Sequence, residues 1–221
     1  MSRYLDIASW PREQHYRLFR EYERPFFTIC ANVDVTTLKE AADKSERSFF
    51  IACLHVSTWA ANDVEEFRYR LREDGVWVHD VIHPGSTVLM PDDTFGFAYF
   101  ELISDFDRFH EAATREVEAV RSGRDAMDPR DDRDDLVHYS VIPWVTFTSF
   151  QHARRFLELD STPKIVFGRY FRDGDRLKMP VSVEVHHALV DGLHVGAYYS
   201  RLQKLIDDSR SLVSAGQPDQ H

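Results

Sequence analysis

The chain has 221 residues, 43% hydrophobic and 29% charged, with a net charge of −10 at neutral pH. That length supports one well-filled core or two small ones, and a surplus of carboxylates with no basic stripe excludes nucleic-acid binding, which needs cations facing phosphates. No apolar run reaches the roughly 18 residues of a membrane span, and Met1-Ser2-Arg3-Tyr4-Leu5-Asp6 lacks the apolar stretch of a signal peptide, so a soluble, cytoplasmic protein is expected.

Ser9 is placed to cap a helix over 10–22, with Pro11 tolerated in its first turn. Phe27, Ile29, Ala31, Val33 and Val35 alternate as a strand with one buried face. Thr36 or Thr37 caps a short helix through Ala42, and a longer helical pattern runs over 46–64. Short strands follow at 76–79, 86–90 and 94–101. Ser104 is placed to cap a helix over 106–120. The charged stretch 121–135 reads as an exposed loop, because strand signals resume at once over 137–141. Residues 163–172 and 177–187 form a hairpin about Asp173-Gly174, a pair that accepts the backbone of a tight turn. Helical spacing returns over 195–206, and the polar tail frays. The pattern predicts an α+β fold, a large mixed β-sheet flanked by helices, as one domain over 1–208 with a polar C-terminal tail at 209–221. Cys30 and Cys53 fall in strand and helix patterns and are expected as thiols. The 16 Phe, nine Tyr and four Trp suit a strand-rich core or an aromatic-lined pocket.

One string carries chemistry: His186-His187-Ala188-Leu189-Val190-Asp191-Gly192, between a β-rich run and a helix. Imidazole titrates near neutral pH and can take a proton from a hydroxyl or thiol. Asp191 either orients the ring or secures the turn by pairing with a cation elsewhere. Neighbouring strand residues point to opposite faces, so His187 is read as the acting residue and His186 as structural. His186, His187, Asp191 and His194 all carry metal-ligating atoms. Adjacent histidines diverge, however, and no Cys or second His pair supplies zinc spacing; no metal is expected.

The stretch from His186 to Val195, His-His-Ala-Leu-Val-Asp-Gly-Leu-His-Val, resembles the active-site signature of the chloramphenicol acetyltransferase family. Trp10-Pro11-Arg12-Glu13-Gln14-His15-Tyr16, Val33-Asp34-Val35-Thr36-Thr37-Leu38 and Pro143-Trp144-Val145-Thr146-Phe147-Thr148-Ser149-Phe150 are similar to other segments of that family. The resemblance covers nearly everything ahead of the tail. It implies that family's fold, a homotrimer with each site between two subunits, and transfer of acetyl from acetyl-CoA to a hydroxyl of chloramphenicol in antibiotic resistance. It also implies that no covalent acyl-enzyme forms. By position His187 is the general base and Ser149 the donor to the tetrahedral oxyanion. Asp191 pairs with Arg12, and Tyr170 contacts the coenzyme. Phe19 and Val166 stand at substrate positions where the family carries a tyrosine and a threonine. Their missing hydroxyls keep two alternatives open: an O-acetyltransferase of the same fold for another hydroxyl compound, and a non-catalytic trimeric binding protein. Larger acyltransferases with this string pair two similar halves across a cleft, so a single copy of the motif calls for a partner subunit as the second wall.

Overall fold

The computed structural model describes residues 2–124, 126–130, 132–154 and 159–209. In chain order the elements are β1 (Arg3–Tyr4), a 3-10 turn (Ile7–Ser9), α1 (Glu13–Phe19), β2 (Phe26–Asp34), α2 (Thr36–Lys44) and α3 (Phe49–Asn62). A second 3-10 turn (Glu65–Arg68), β3 (Tyr69–Arg72), β4 (Gly75–Val78), β5 (His83–Leu89), β6 (Phe95–Tyr99) and α4 (Phe106–Arg121) follow. The chain then forms β7 (Leu136–Ile142), β8 (Lys164–Gly168), β9 (Phe171–Asp173), β10 (Arg176–His186) and α5 (Gly192–Asp207). Of the expected tail, residues 210–221 lie outside the described residues.

Among the described residues a seven-stranded sheet runs in the order β2-β10-β8-β7-β5-β6, with β9 paired to β10. The β5–β7 and β7–β8 pairs are parallel and the others antiparallel. The sheet is therefore mixed, as the sequence led one to expect. β10 sits between two partners, and its second half is buried throughout. Val181, Val183 and Val185 face the helices and join the main core with Val33, Ile165 and Phe167. Ser182, Glu184 and His186, between them in sequence, point to the other face. α3 packs against α2, α4 and α5.

α5 is fixed to the sheet by polar anchors as well as by burial. The Tyr199 hydroxyl lies 2.7 Å from Val181 O and 3.0 Å from Ile29 O. Gln203 exchanges two hydrogen bonds with the Asp34 backbone, at 2.9 and 3.0 Å. Inside, the Ser57 hydroxyl meets Tyr139 at 3.0 Å and Tyr198 at 2.7 Å, joining α3, β7 and α5. A buried network of this kind stabilises only when every member is satisfied, and here it sets the seating of α5.

Element starts moved where a neighbour made the better cap. The first helix begins at Glu13, because the 3-10 turn takes the Trp10 N–H onto Ile7 O and Pro11 has none. The Ser9 hydroxyl goes to Asp6 at 2.8 Å and caps nothing. Asp105, in place of Ser104, accepts the Arg108 N–H at 2.9 Å, and α2 is led in by Asp34, which takes the Thr36 N–H at 3.0 Å. The segment expected as one strand over 163–172 breaks at Arg169 and Tyr170 into β8 and β9. The Asp173-Gly174 hairpin stands, with Gly174 at φ +61°.

β3 escaped the sequence pattern because Arg70 interrupts its apolar alternation. That guanidinium is buried and donates to four carbonyls, of Phe67, Tyr69, Asp134 and Leu136, at 2.6–2.9 Å. Burial pushes its pKa down to about 10, against Asp134, Asp135 and Asp160, so it stays charged at neutral pH. This one side chain ties the three-stranded sheet β1-β4-β3 to the start of β7. Cys30 and Cys53 are both free thiols.

Candidate active site

β10 ends at His186, and the next five residues turn the chain into α5. His187 N–H donates to Pro25 O at 2.7 Å, and the Leu189 and Val190 amides both reach His186 O at 3.0 Å. Ala188, Leu189 and Val190 are buried, which locks the turn from below. The two histidines consequently face different surroundings, as the strand alternation required.

The His187 ring lies flat on Phe19, with centroids 3.9 Å apart and planes at 19°, and Phe27 leans on it at 4.7 Å. Its Nδ1 sits 3.2 Å from Val190 O and 3.2 Å from Asp191 Oδ1. Both neighbours only accept, so in the neutral ring the proton resides on Nδ1, and among the described residues no hydrogen bond engages the Nε2 lone pair. One third of the side chain is exposed. The arrangement is a rigid imidazole that can accept a proton at Nε2.

Asp191 serves two partners at once. Arg12 Nη2 donates to its Oδ1 at 3.1 Å, Nη1 stands 3.0 Å from Oδ2, and Nη2 also reaches His187 O at 3.0 Å. Burial pushes the Arg12 pKa down, opposed by Asp191 and Glu66. One carboxylate thus stands beside both the ring and the guanidinium. Asp191→Asn should leave one Arg12 nitrogen or the His187 Nδ1–H facing an amide NH2. Leaving such a donor unsatisfied costs about 1–3 kcal/mol, the low end applying to this partly exposed pair. At about 1 kcal/mol the expected loss in Tm is about 2–4 °C for a chain of this length, read by calorimetry; an unchanged Tm would refute the anchoring role.

His186 is buried, with Nδ1 accepting the Ala188 N–H at 3.2 Å and its ring edge-on to Phe26 at 4.9 Å. Burial, with Arg154 adding to it, pushes its pKa down to about 4. It stays neutral and holds the turn.

Ser149 is elsewhere. It follows the exposed Trp144 and Val145 on the segment after β7 and lines a cavity of about 1160 Å³ with Phe26, Thr28, Arg154, Glu184 and His186. Among the described residues no hydrogen bond or ring contact links Ser149 to His187. The segment is seated by Gly168, where a Cβ would come within 2.6 Å of Pro180 and 2.8 Å of the Phe147 ring. Arg169 N–H to Val145 O at 2.9 Å closes the same contact. A glycine inside a strand pattern is the sequence signal for such close approach.

The same cavity exposes what sequence reasoning missed. Glu184 is buried and receives Arg154 Nε at 2.7 Å, while Arg154 Nη1 reaches Asp160 at 2.7 Å and the guanidinium covers the Phe26 ring at 3.3 Å. In β10 Glu184 shares a face with His186; its partner, distant in sequence, left no mark. Tyr170 is 39% exposed and edges a smaller, largely apolar cavity of about 190 Å³ with Phe49, Cys53, Phe167 and Met179. Val166 is fully buried in β8, opposite Ser140 and Ser182, and lines neither of these two cavities. Phe19 meets the expected site directly, as the surface under His187. Among the described residues no group of three His, Cys, Asp or Glu side chains is placed to hold a metal ion.

A family model described as chloramphenicol acetyltransferase matches residues 2–203. Chloramphenicol acetyltransferase 3 of Escherichia coli is 31% identical over 203 residues, covering 91% of this chain and 95% of that protein. A chloramphenicol acetyltransferase of Streptomyces acrimycini is 31% identical over 208 residues, 92% and 94% of the two chains. Among solved structures, a chloramphenicol acetyltransferase superposes with a TM-score of 0.85 at 27% identity, over 93% of this chain and all of that one. The dihydrolipoamide acetyltransferase of Azotobacter vinelandii shares the fold, with a TM-score of 0.64 at 18% identity over 96% and 92%.

Proposed function

The chain belongs to the chloramphenicol acetyltransferase family and is an acyltransferase, and we propose that it moves acetyl from acetyl-CoA to a hydroxyl of chloramphenicol in a homotrimer whose sites each join two copies. The observation that carries this reading is the His187 ring, stacked on Phe19 with Nδ1 occupied and Nε2 free. In the step we assign to it, Nε2 takes the proton of the acceptor hydroxyl as that oxygen attacks the thioester carbonyl. The negative charge gathers on the former carbonyl oxygen, where the Ser149 hydroxyl donates a hydrogen bond. A donor so placed is worth about 3 kcal/mol because it acts where charge develops. Collapse expels the CoA thiolate, which recovers the proton from the imidazolium, so no residue is left modified.

Two observations support a shared site. Ser149 lines a cavity that His187 does not line, an arrangement that a second copy would complete. Exposed apolar side chains neighbour both groups in sequence: Leu18 beside Phe19, Leu193 two residues after Asp191, and Trp144 and Val145 ahead of Ser149. Contiguous apolar exposure marks a surface that a partner covers. Tyr170, at the mouth of the smaller cavity, is assigned to the coenzyme.

A second acceptor is favoured by Phe19 and Val166. Neither brings a hydroxyl, and Phe19 spends its ring on His187. Thiol release from acetyl-CoA, followed with a chromogenic disulfide, tests both readings. Release on adding chloramphenicol is the expected result. Release with other alcohols but not with chloramphenicol would transfer the assignment to them, and none with any hydroxyl compound would leave a binding protein.

A further inference from the structure

His194 has no part in the chemistry above, yet both its ring nitrogens are engaged at the catalytic turn. Its Nδ1 accepts the backbone N–H of Asp191 at 2.9 Å, and its Nε2 lies 3.5 Å from Glu66 Oε1. The ring is 14% exposed. Accepting at Nδ1 requires that the proton sit on Nε2, which is the nitrogen that faces the carboxylate. Burial and Arg12 push the ring's pKa down, while Glu66 and Asp191 push it up; the net direction is down, which keeps the Nδ1 lone pair available.

The N–H that His194 holds belongs to the peptide between Val190 and Asp191. The carbonyl of that same peptide, Val190 O, receives the His187 Nδ1–H at 3.2 Å. A trans peptide is planar, with N–H and C=O pointing in opposite directions. Holding one end of the plane therefore sets the direction of the other. Polarisation runs along the same line, since an amide whose N–H is bonded is a stronger acceptor at its oxygen. We propose that His194, braced by Glu66, is a positioning residue that holds His187 in its Nδ1–H tautomer through the Val190–Asp191 peptide plane. Arg12 grips the Asp191 carboxylate, and His194 grips the amide of the same residue, so the turn is held from two sides. This inference rests on the reading of His187 as the base.

The test uses the full chain and two readouts. His194→Ala should lower kcat about tenfold, the worth of roughly one hydrogen bond in the transition state, with both KM values within about twofold of the parent. His194→Gln keeps a side-chain acceptor at the third helical position, where glutamine serves a capping box, and should restore most of kcat. Glu66→Ala, on a separate element, should cost about threefold in kcat by the same route. Nitrogen-15 spectra of labelled histidine report the His187 tautomer without turnover: Nδ1–H in the parent, a mixture in His194→Ala.

Parent kcat and an unchanged tautomer in His194→Ala would overturn the proposal, as would a His194→Gln variant no better than alanine. If His194→Ala fails to assemble, parent kcat in Glu66→Ala overturns it. A parent protein that transfers no acetyl, yet loses the Nδ1–H tautomer in His194→Ala, would refute the base assignment and leave the positioning intact.

Discussion

Replacing His187 by alanine should lower kcat/KM by a factor of about 10²–10⁴ while leaving the assembly intact. That is the usual worth of a positioned general base, about 3–5 kcal/mol of barrier. The loss belongs in kcat, because Nε2 receives a full proton only as the acceptor oxygen attacks, and an interaction made in the transition state alone leaves KM unmoved. Stability should change little. The ring is one third exposed and packed between Phe19 and Phe27, whereas the turn beneath it is held by backbone bonds to His186 and Pro25. Steady-state thiol release and sedimentation together check this. Parent-like turnover in the variant would end the assignment of His187.

The second large effect is a recovery. His187→Ala and Ser149→Ala should each be nearly inactive as pure proteins, the latter by about 10²–10³ for the lost oxyanion donor. Co-assembled in equal amounts, they should regain about one quarter of the parent rate, since random mixing places an intact His187 beside an intact Ser149 at about one interface in four. His187 sits on Phe19, and Ser149 opens into a cavity that contains His186. Successive residues at the end of β10 point apart, so one chain presents the two groups to different spaces. Activity of the mixture no greater than the sum of the pure variants would mean that both groups act within one chain.

Local rules carried much of this fold. Valines at alternate positions marked β10, Asp173-Gly174 marked its hairpin with β9, and helical spacing marked α3, α4 and α5. Each depends on residues a few positions apart, where periodicity and turn chemistry act. The errors lie at junctions decided by competition. Ser104 lost to Asp105 by one residue, and Ser9 spent its hydroxyl on Asp6. β3 stayed hidden because Arg70 looks like a surface residue until carbonyls 64 and 66 positions away close around it. The Glu184–Arg154 pair was equally silent for the same reason.

At the site the division is sharper. Sequence alone determined where the candidate side chains fall: His187 at the end of a strand, Asp191 at the start of a helix, and His186 turned to the opposite face. Only the tertiary structure decided what each of them does with its atoms. It set Arg12 against a carboxylate 179 positions away, laid Phe19 under the ring, and directed one peptide plane at both His187 and His194. The reason is physical: alternation along a strand is written in bond geometry, but a proton's place on an imidazole depends on which acceptors the packed core brings within hydrogen-bond reach.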